Sequence, residues 1–221
     1  MQILYFLLAG LIGYLCGSIP IGYIYVRLFK GEDLRKIGSG RTGGTNSLRA
    51  AGLGVGLLTS LSDVLKGAAS VWLTTWLLGD AVGAVMLPWL QATAGVMSVV
   101  GHNWSIFLKF GGGAGTGPNV GWSSAIWPWV LPIAFLVMGG MLYFVGMASV
   151  ASLSMAVATI VIFTYRYLAG IDQTVAYLTG SIVAGLVVTW ALRPNIKRVL
   201  NGTERLVGPR AKRREEGEAK Q

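Results

Sequence analysis

No charged side chain occurs before Arg27, and uncharged runs of similar character recur along the rest of the chain. A helix needs about 20 such residues to cross the hydrocarbon core of a bilayer. Inside that core every backbone N–H and C=O must find a partner within the protein, a demand that a helix meets within one segment. The sequence therefore predicts an all-α, polytopic membrane protein. Its charged fraction of 12% is about half the ~25% usual in soluble domains, and its mean hydropathy is +0.61.

Seven apolar segments can be drawn, over about residues 3–26, 53–78, 81–100, 120–127, 129–147, 150–167 and 174–192. The fourth is too short to cross alone and is expected to be tilted. The first lacks a basic leader and a small-residue cleavage site, so it reads as a permanent helix rather than a signal peptide. Gly17-Ser18-Ile19-Pro20 should bend it, because proline removes a backbone donor. Of the eighteen Lys and Arg residues, sixteen lie in residues 27–52, at Lys109, or from Arg193 onward. The positive-inside rule places these three regions in the cytoplasm. Seven transmembrane helices then put the N-terminus outside and the C-terminus in the cytoplasm; six would leave one basic region on the wrong side. Residues 1–204 read as a single integral-membrane domain and 205–221 as a basic, flexible cytoplasmic tail. The net charge of +9 is explained by a cytoplasmic membrane face without invoking nucleic acid. One cysteine, Cys16, and one histidine, His102, exclude disulfides, thiolate metal sites and His-pair metal sites. No metal or cofactor is expected.

The polar residues are concentrated in a few places. Gly38-Ser39-Gly40-Arg41-Thr42-Gly43-Gly44-Thr45-Asn46, followed by Arg49, has the composition of a phosphate cradle. Glycines let successive N–H groups face an anion, hydroxyl and amide groups add donors, and arginine offers a planar fork that matches two phosphate oxygens. The spacing is neither a Walker loop nor a dinucleotide fingerprint, and a plain flexible loop has the same glycine content. A second polar stretch runs from Gly101-His102-Asn103-Trp104 to the glycine-rich Gly111-Gly112-Gly113-Ala114-Gly115. A lone histidine at a helix end suits a turn-ordering role better than that of a general base. Asp63 and Lys66 fall on one helical face at i, i+3 spacing and should pair with each other inside the bilayer.

These stretches, with Gly17-Ser18-Ile19-Pro20, Asn195-Ile196-x-Arg198 and Asn201-Gly202-x-Glu204, occur in the order and spacing of one family. Over nearly its whole length, to about Glu204, the chain resembles the bacterial integral-membrane acyl-phosphate:glycerol-3-phosphate acyltransferases. The resemblance implies a multi-pass enzyme of the bacterial inner membrane with its active site facing the cytoplasm. Such an enzyme transfers a fatty acyl group from acyl phosphate to the 1-hydroxyl of glycerol 3-phosphate, forming lysophosphatidic acid for phospholipid synthesis without a metal. The implied partners are those two substrates, the lipid bilayer and a soluble enzyme that forms acyl phosphate; nucleic acid is not among them. Carried onto this sequence, the catalytic positions are Ser39, Arg49, Ser149 and Asn195. Phosphate binding falls to Gly38, Gly40, Arg41, Thr45, Asn46, Gly112, Gly113 and Gly115, with His102, Asn103, Asp63, Lys66 and Ser152 in support. With one histidine no Ser-His-Asp set can form, so a phosphate oxygen of a substrate is the expected acceptor of the hydroxyl proton.

The sequence also departs from the family pattern. Its second loop usually reads Lys-Gly-Gly-Lys-Gly, and here Gly111 and Ala114 stand at the lysine positions. The histidine usual three residues before Asn195 is Leu192, while Arg41 replaces an asparagine and Gly44 an alanine. Arg41 is therefore expected to supply charge missing from the facing loop. Two rival readings follow: a catalytically weak relative that binds a phosphorylated lipid precursor, or a small anion transporter.

Overall fold

The computed structural model describes residues 1–208 and 210–211. Within them run α1 (Gln2–Ser18), α2 (Ile21–Lys30), α3 (Gly44–Leu78), α4 (Leu87–Asn103), α5 (Thr116–Ile126), α6 (Val130–Phe144), α7 (Ala148–Leu168) and α8 (Ala176–Leu200). The fold is all-helical, and the extended pairings among the described residues are two isolated bridges, Ser105 with Gly111 and Met147 with Leu206. Four helical stretches are long and apolar enough to span a membrane: Gln2–Lys30, Gly44–Ala81, Ala148–Leu168 and Ala176–Leu200. The outer surfaces carry exposed Leu7, Leu57, Trp76, Phe135, Leu136 and Leu186, as helices facing lipid must.

Close packing on the inside comes from small residues. Gly13 and Gly17 set the backbone of α1 directly against Ala94 and Ser98 of α4, where a side chain would overlap backbone atoms. This is how helices associate when lipid removes the hydrophobic drive between them. At the centre Trp122 of α5 stacks on Phe163 of α7, with ring centroids 5.7 Å apart, among Val99, Ala184 and Val188.

The expected bend occurs: α1 ends at Ser18 and α2 restarts at Ile21. Other boundaries differ from the sequence reading. The basic loop expected over residues 27–52 is only the stretch 31–43, because α2 continues to Lys30 and α3 begins at Gly44. Thr45, Asn46 and Arg49 thus sit on a helical turn that Gly52, at φ 84°, separates from the membrane-length part of α3. The third segment starts at Leu87 and not near residue 81, because Gly79–Ala81 forms a 3-10 turn instead. The last helix runs past Pro194 to Leu200, which places Asn195 on a helix. The tail expected to be free from residue 205 is anchored at its start: the Val207 N–H donates to the Gly146 carbonyl at 2.8 Å. Residue 209 and residues 212–221 of that expected tail lie outside the described residues.

Candidate active site

Three helices begin at one cavity of about 400 Å³. The first turns of α3 (Gly44, Thr45), α5 (Thr116, Gly117) and α7 (Ala148, Ser149) all line it. None of the three has a side chain capping its N-terminus. Each therefore presents backbone N–H groups and the positive end of a helix dipole to whatever occupies the cavity, an arrangement suited to anions.

The first loop is shaped around Asn46. Its Oδ1 accepts from the Ser39 N–H at 3.0 Å, and its Nδ2 donates to the carbonyls of Leu34, Ile37 and Arg41 at 3.2, 2.9 and 2.9 Å. With its amide committed in this way, Asn46 builds the loop that presents Ser39 and Arg41, and it lines the cavity itself. Ser39, Arg41, Thr45 and Arg49 line the cavity, whereas Gly38 and Gly40 supply left-handed turns at φ 54° and 70° behind it. Arg41 reaches across to α8, where Nη2 donates to the Ala191 carbonyl at 2.6 Å.

The glycine-rich second loop is also read differently once folded. Gly112, Gly113 and Gly115 do not line the cavity; they are packed against the end of α4, where a side chain at Gly113 would overlap the His102 ring. They space the loop from α4, and the part of it that lines the cavity is Ala114 and the start of α5. The loop touches the first through the Thr42 N–H, which donates to the Gly112 carbonyl at 3.4 Å.

Beneath these loops lies the Asp63 and Lys66 pair, buried and 2.9 Å apart as the spacing required. Lys66 Nζ also donates to the Ile19 carbonyl at 3.0 Å, beside the break made by Pro20, and to His102 Nδ1 at 2.8 Å. An ammonium can only donate, so Nδ1 accepts and the neutral ring carries its proton on Nε2. His102 is thereby oriented by Lys66 and lines the cavity together with Asp63. Asn103 is buried against Gly115 outside the cavity.

At the other wall, Glu204 gathers three groups. Ser149 Oγ and Asn195 Nδ2 donate to its Oε1 at 3.0 and 2.8 Å, and Arg198 Nε to its Oε2 at 2.9 Å. Burial alone would push this carboxyl up, but the hydrogen bonds from Asn195, Arg198 and Ser149 hold it below the ordinary glutamate value. Sequence reasoning gave Ser149 and Asn195 a place in the site but quoted Glu204, which joins them, only as a motif member. Asn195 and Arg198 share a face at i, i+3, which was the available signal; the closure onto Glu204 requires the turn after α8. Arg205 and Thr116 were missed as well, and both line the cavity with Ser152.

Beyond its polar end the cavity continues along Leu53, Leu57, Leu131, Phe135, Met138 and Leu142, from α3 and α6. A charged head and an apolar tail would be matched in one space.

Residues 7–202 match the family model described as Glycerol-3-phosphate acyltransferase. The chain belongs to this family. The glycerol-3-phosphate acyltransferase of Rubrobacter xylanophilus is 40% identical over 201 residues, covering 91% of this chain and 94% of the relative. Glycerol-3-phosphate acyltransferase 2 of Moorella thermoacetica is 39% identical over 93% of this chain and 99% of its own. Among solved structures, PlsY (YgiH), an integral membrane glycerol 3-phosphate acyltransferase in its glycerol 3-phosphate form, superposes with a TM-score of 0.78 at 33% identity, covering 92% of this chain and 96% of that one. Its lysophosphatidic acid form gives 0.76 at 32% identity over 92% and 95%. The family architecture thus spans essentially the whole described chain, the departures at Arg41, Ala114 and Leu192 included.

Proposed function

We propose that this protein transfers a fatty acyl group from acyl phosphate to the 1-hydroxyl of glycerol 3-phosphate, releasing lysophosphatidic acid and phosphate. The observation that carries this reading is the union of three uncapped helix N-termini with an apolar channel in one cavity. Acyl phosphate is already activated, so alignment and charge stabilisation account for the acceleration. The glycerol hydroxyl forms the new ester bond to the acyl carbon as the bond from that carbon to the phosphate oxygen breaks. The hydroxyl proton passes to a phosphate oxygen. Ser39, Arg49, Ser149 and Asn195 are the residues placed to align the reactants, with Arg49 as the fork for one phosphate. Domain and topology follow the same reading: a single integral-membrane domain crosses the inner membrane seven times, α1 and α2 together forming the first crossing. The N-terminus is outside, and the cavity opens to the cytoplasm. The 11 residues of α5 rise only ~16 Å, about half a bilayer, so the loop before it dips inward to complete that crossing.

Purified protein supplied with palmitoyl phosphate and labelled glycerol 3-phosphate should yield labelled lysophosphatidic acid. Binding without turnover would instead support the weak relative, and the absence of both would defeat the proposed activity for this chain. Arg49→Ala should lower kcat/KM for glycerol 3-phosphate by at least ~100-fold, and Lys in its place should recover little, because it lacks the bidentate fork. For topology, cysteines at Ser39 and Lys197 in a Cys16→Ala background should react from the cytoplasmic side alone; reaction of either from outside would overturn the orientation.

A further inference from the structure

The cavity holds more positive charge than its carboxylates use. Asp63 is paired with Lys66, and Glu204 with Arg198. That leaves Arg41, Arg49 and Arg205 lining the cavity without a carboxylate partner among the described residues. Arg49 and Arg205 are exposed, so water solvates them. Arg41 is held differently. One nitrogen, Nη2, is clipped to the Ala191 carbonyl, while Nη1 is shielded from water and has no partner. Its own carbonyl is fixed by Asn46 at 2.9 Å, so the loop is built to aim this side chain. Burial and the neighbouring Arg198 push the Arg41 pKa down, and Glu204 opposes them. A guanidinium nitrogen shut away from water without an acceptor is strongly unfavourable. The same holds for Thr116 Oγ1, also buried and without a partner, at the uncapped start of α5. Ala114 and Leu192, which line the cavity too, add no charge.

We propose that Arg41 Nη1, together with Thr116 Oγ1 and the N-terminus of α5, forms an inner subsite for a phosphomonoester dianion, separate from the outer position of Arg49. This rests on the acyltransferase reading above, in which two phosphate-bearing substrates share the cavity. The subsite takes the phosphate of one of them, and Arg41, clipped to α8, fixes how deep that phosphate sits. Arg41 in this chain then supplies from the first loop the charge that Ala114 and Leu192 do not.

The test uses the full chain purified in detergent. Inorganic phosphate should raise the thermal midpoint of the parent, and Arg41→Gln should at least halve that shift. Arg41→Gln should also raise KM at least tenfold for one phosphate substrate while kcat changes less, and the substrate affected names the occupant. Arg41→Lys keeps the charge, and so guards against a mere folding defect, yet cannot hold Ala191 and offer a second nitrogen at once; it should fall between parent and Gln. If Arg41→Gln lowers the midpoint equally with and without phosphate and leaves both KM values unmoved, Arg41 is only a clip between loop and helix, and the subsite is overturned. A parent with no acyl transfer whose phosphate shift is still lost in Arg41→Gln would defeat the activity while supporting the subsite.

Discussion

The ends of α7 and α8 are built from the same local device and serve different purposes. In each, an arginine in the last turn is followed four residues later by a left-handed glycine, Gly170 at φ 69° or Gly202 at φ 68°. Two residues further on, an acidic residue folds back onto the arginine. The returning N–H groups of Ile171 and Thr203 donate to the Arg166 and Arg198 carbonyls at 2.9 and 2.8 Å, closing each helix in the usual left-handed way. At α7 the fork closes completely: Arg166 Nε and Nη2 donate to both Asp172 oxygens, at 2.9 and 2.6 Å. At α8 only Nε is used, and the longer Glu204 turns its other oxygen towards Ser149 and Asn195. One methylene and one withheld hydrogen bond separate a helix cap from the organising residue of a site. The two lie at opposite ends of the α7–α8 hairpin, which is why one can be purely structural.

Glu204→Ala should break the comparison most severely. It frees Ser149 and Asn195 together and strips Arg198 of its acid, and misplacement of about 1 Å in reacting groups is worth ~100-fold in rate; kcat/KM should fall by at least that factor. Glu204→Asp copies the α7 arrangement onto α8. Its shorter side chain should keep Arg198 and the thermal midpoint but release Ser149 and Asn195, with kcat down about tenfold; a parent-like kcat would show that the longer reach is unnecessary. Asp172→Asn should do the reverse, costing about 1–3 kcal/mol of stability by chemical denaturation and leaving kcat/KM within about twofold. The smallest effect concerns acid. Because the folded pKa of Glu204 is depressed below the ordinary glutamate value of 4.5, its contribution to stability is complete above that value and is lost as pH falls through the folded pKa. The stability difference between parent and Glu204→Gln should therefore be constant from neutrality to about pH 4.5 and shrink below it. A difference that shrinks while pH is still above 6 would contradict the hydrogen-bonded carboxylate.

What could be read from the sequence was whatever a single segment decides. The apolar runs, the break at Pro20 and the pairing of Asp63 with Lys66 each follow from local composition or spacing. The start of α3 at Gly44 was hidden because Gly43 caps it without a side chain, so no capping residue marks the boundary. The glycines of the second loop look alike in sequence whether they face a ligand or a neighbouring helix; only the position of the His102 ring separates the two. Arg41 donates to a carbonyl 150 residues away, a partner that its charge and neighbours in the loop do not reveal. Glu204 was visible as a motif member, but its role depends on α7 and α8 lying side by side.

The Asp63 and Lys66 pair also bears on how such a chain is made. A charged residue entering the bilayer centre costs about 2.5–3.5 kcal/mol in insertion measurements. Here both charges sit one turn apart on one helix, so they neutralise each other as that helix enters the lipid, before α4 has been synthesised. His102 and the Ile19 carbonyl then meet an ammonium already in place. Exchanging Lys66 with Leu65 would set the ammonium about 200° round the helix from Asp63, keep the composition and remove this order of events, and nascent α3 should then stall at the translocation machinery.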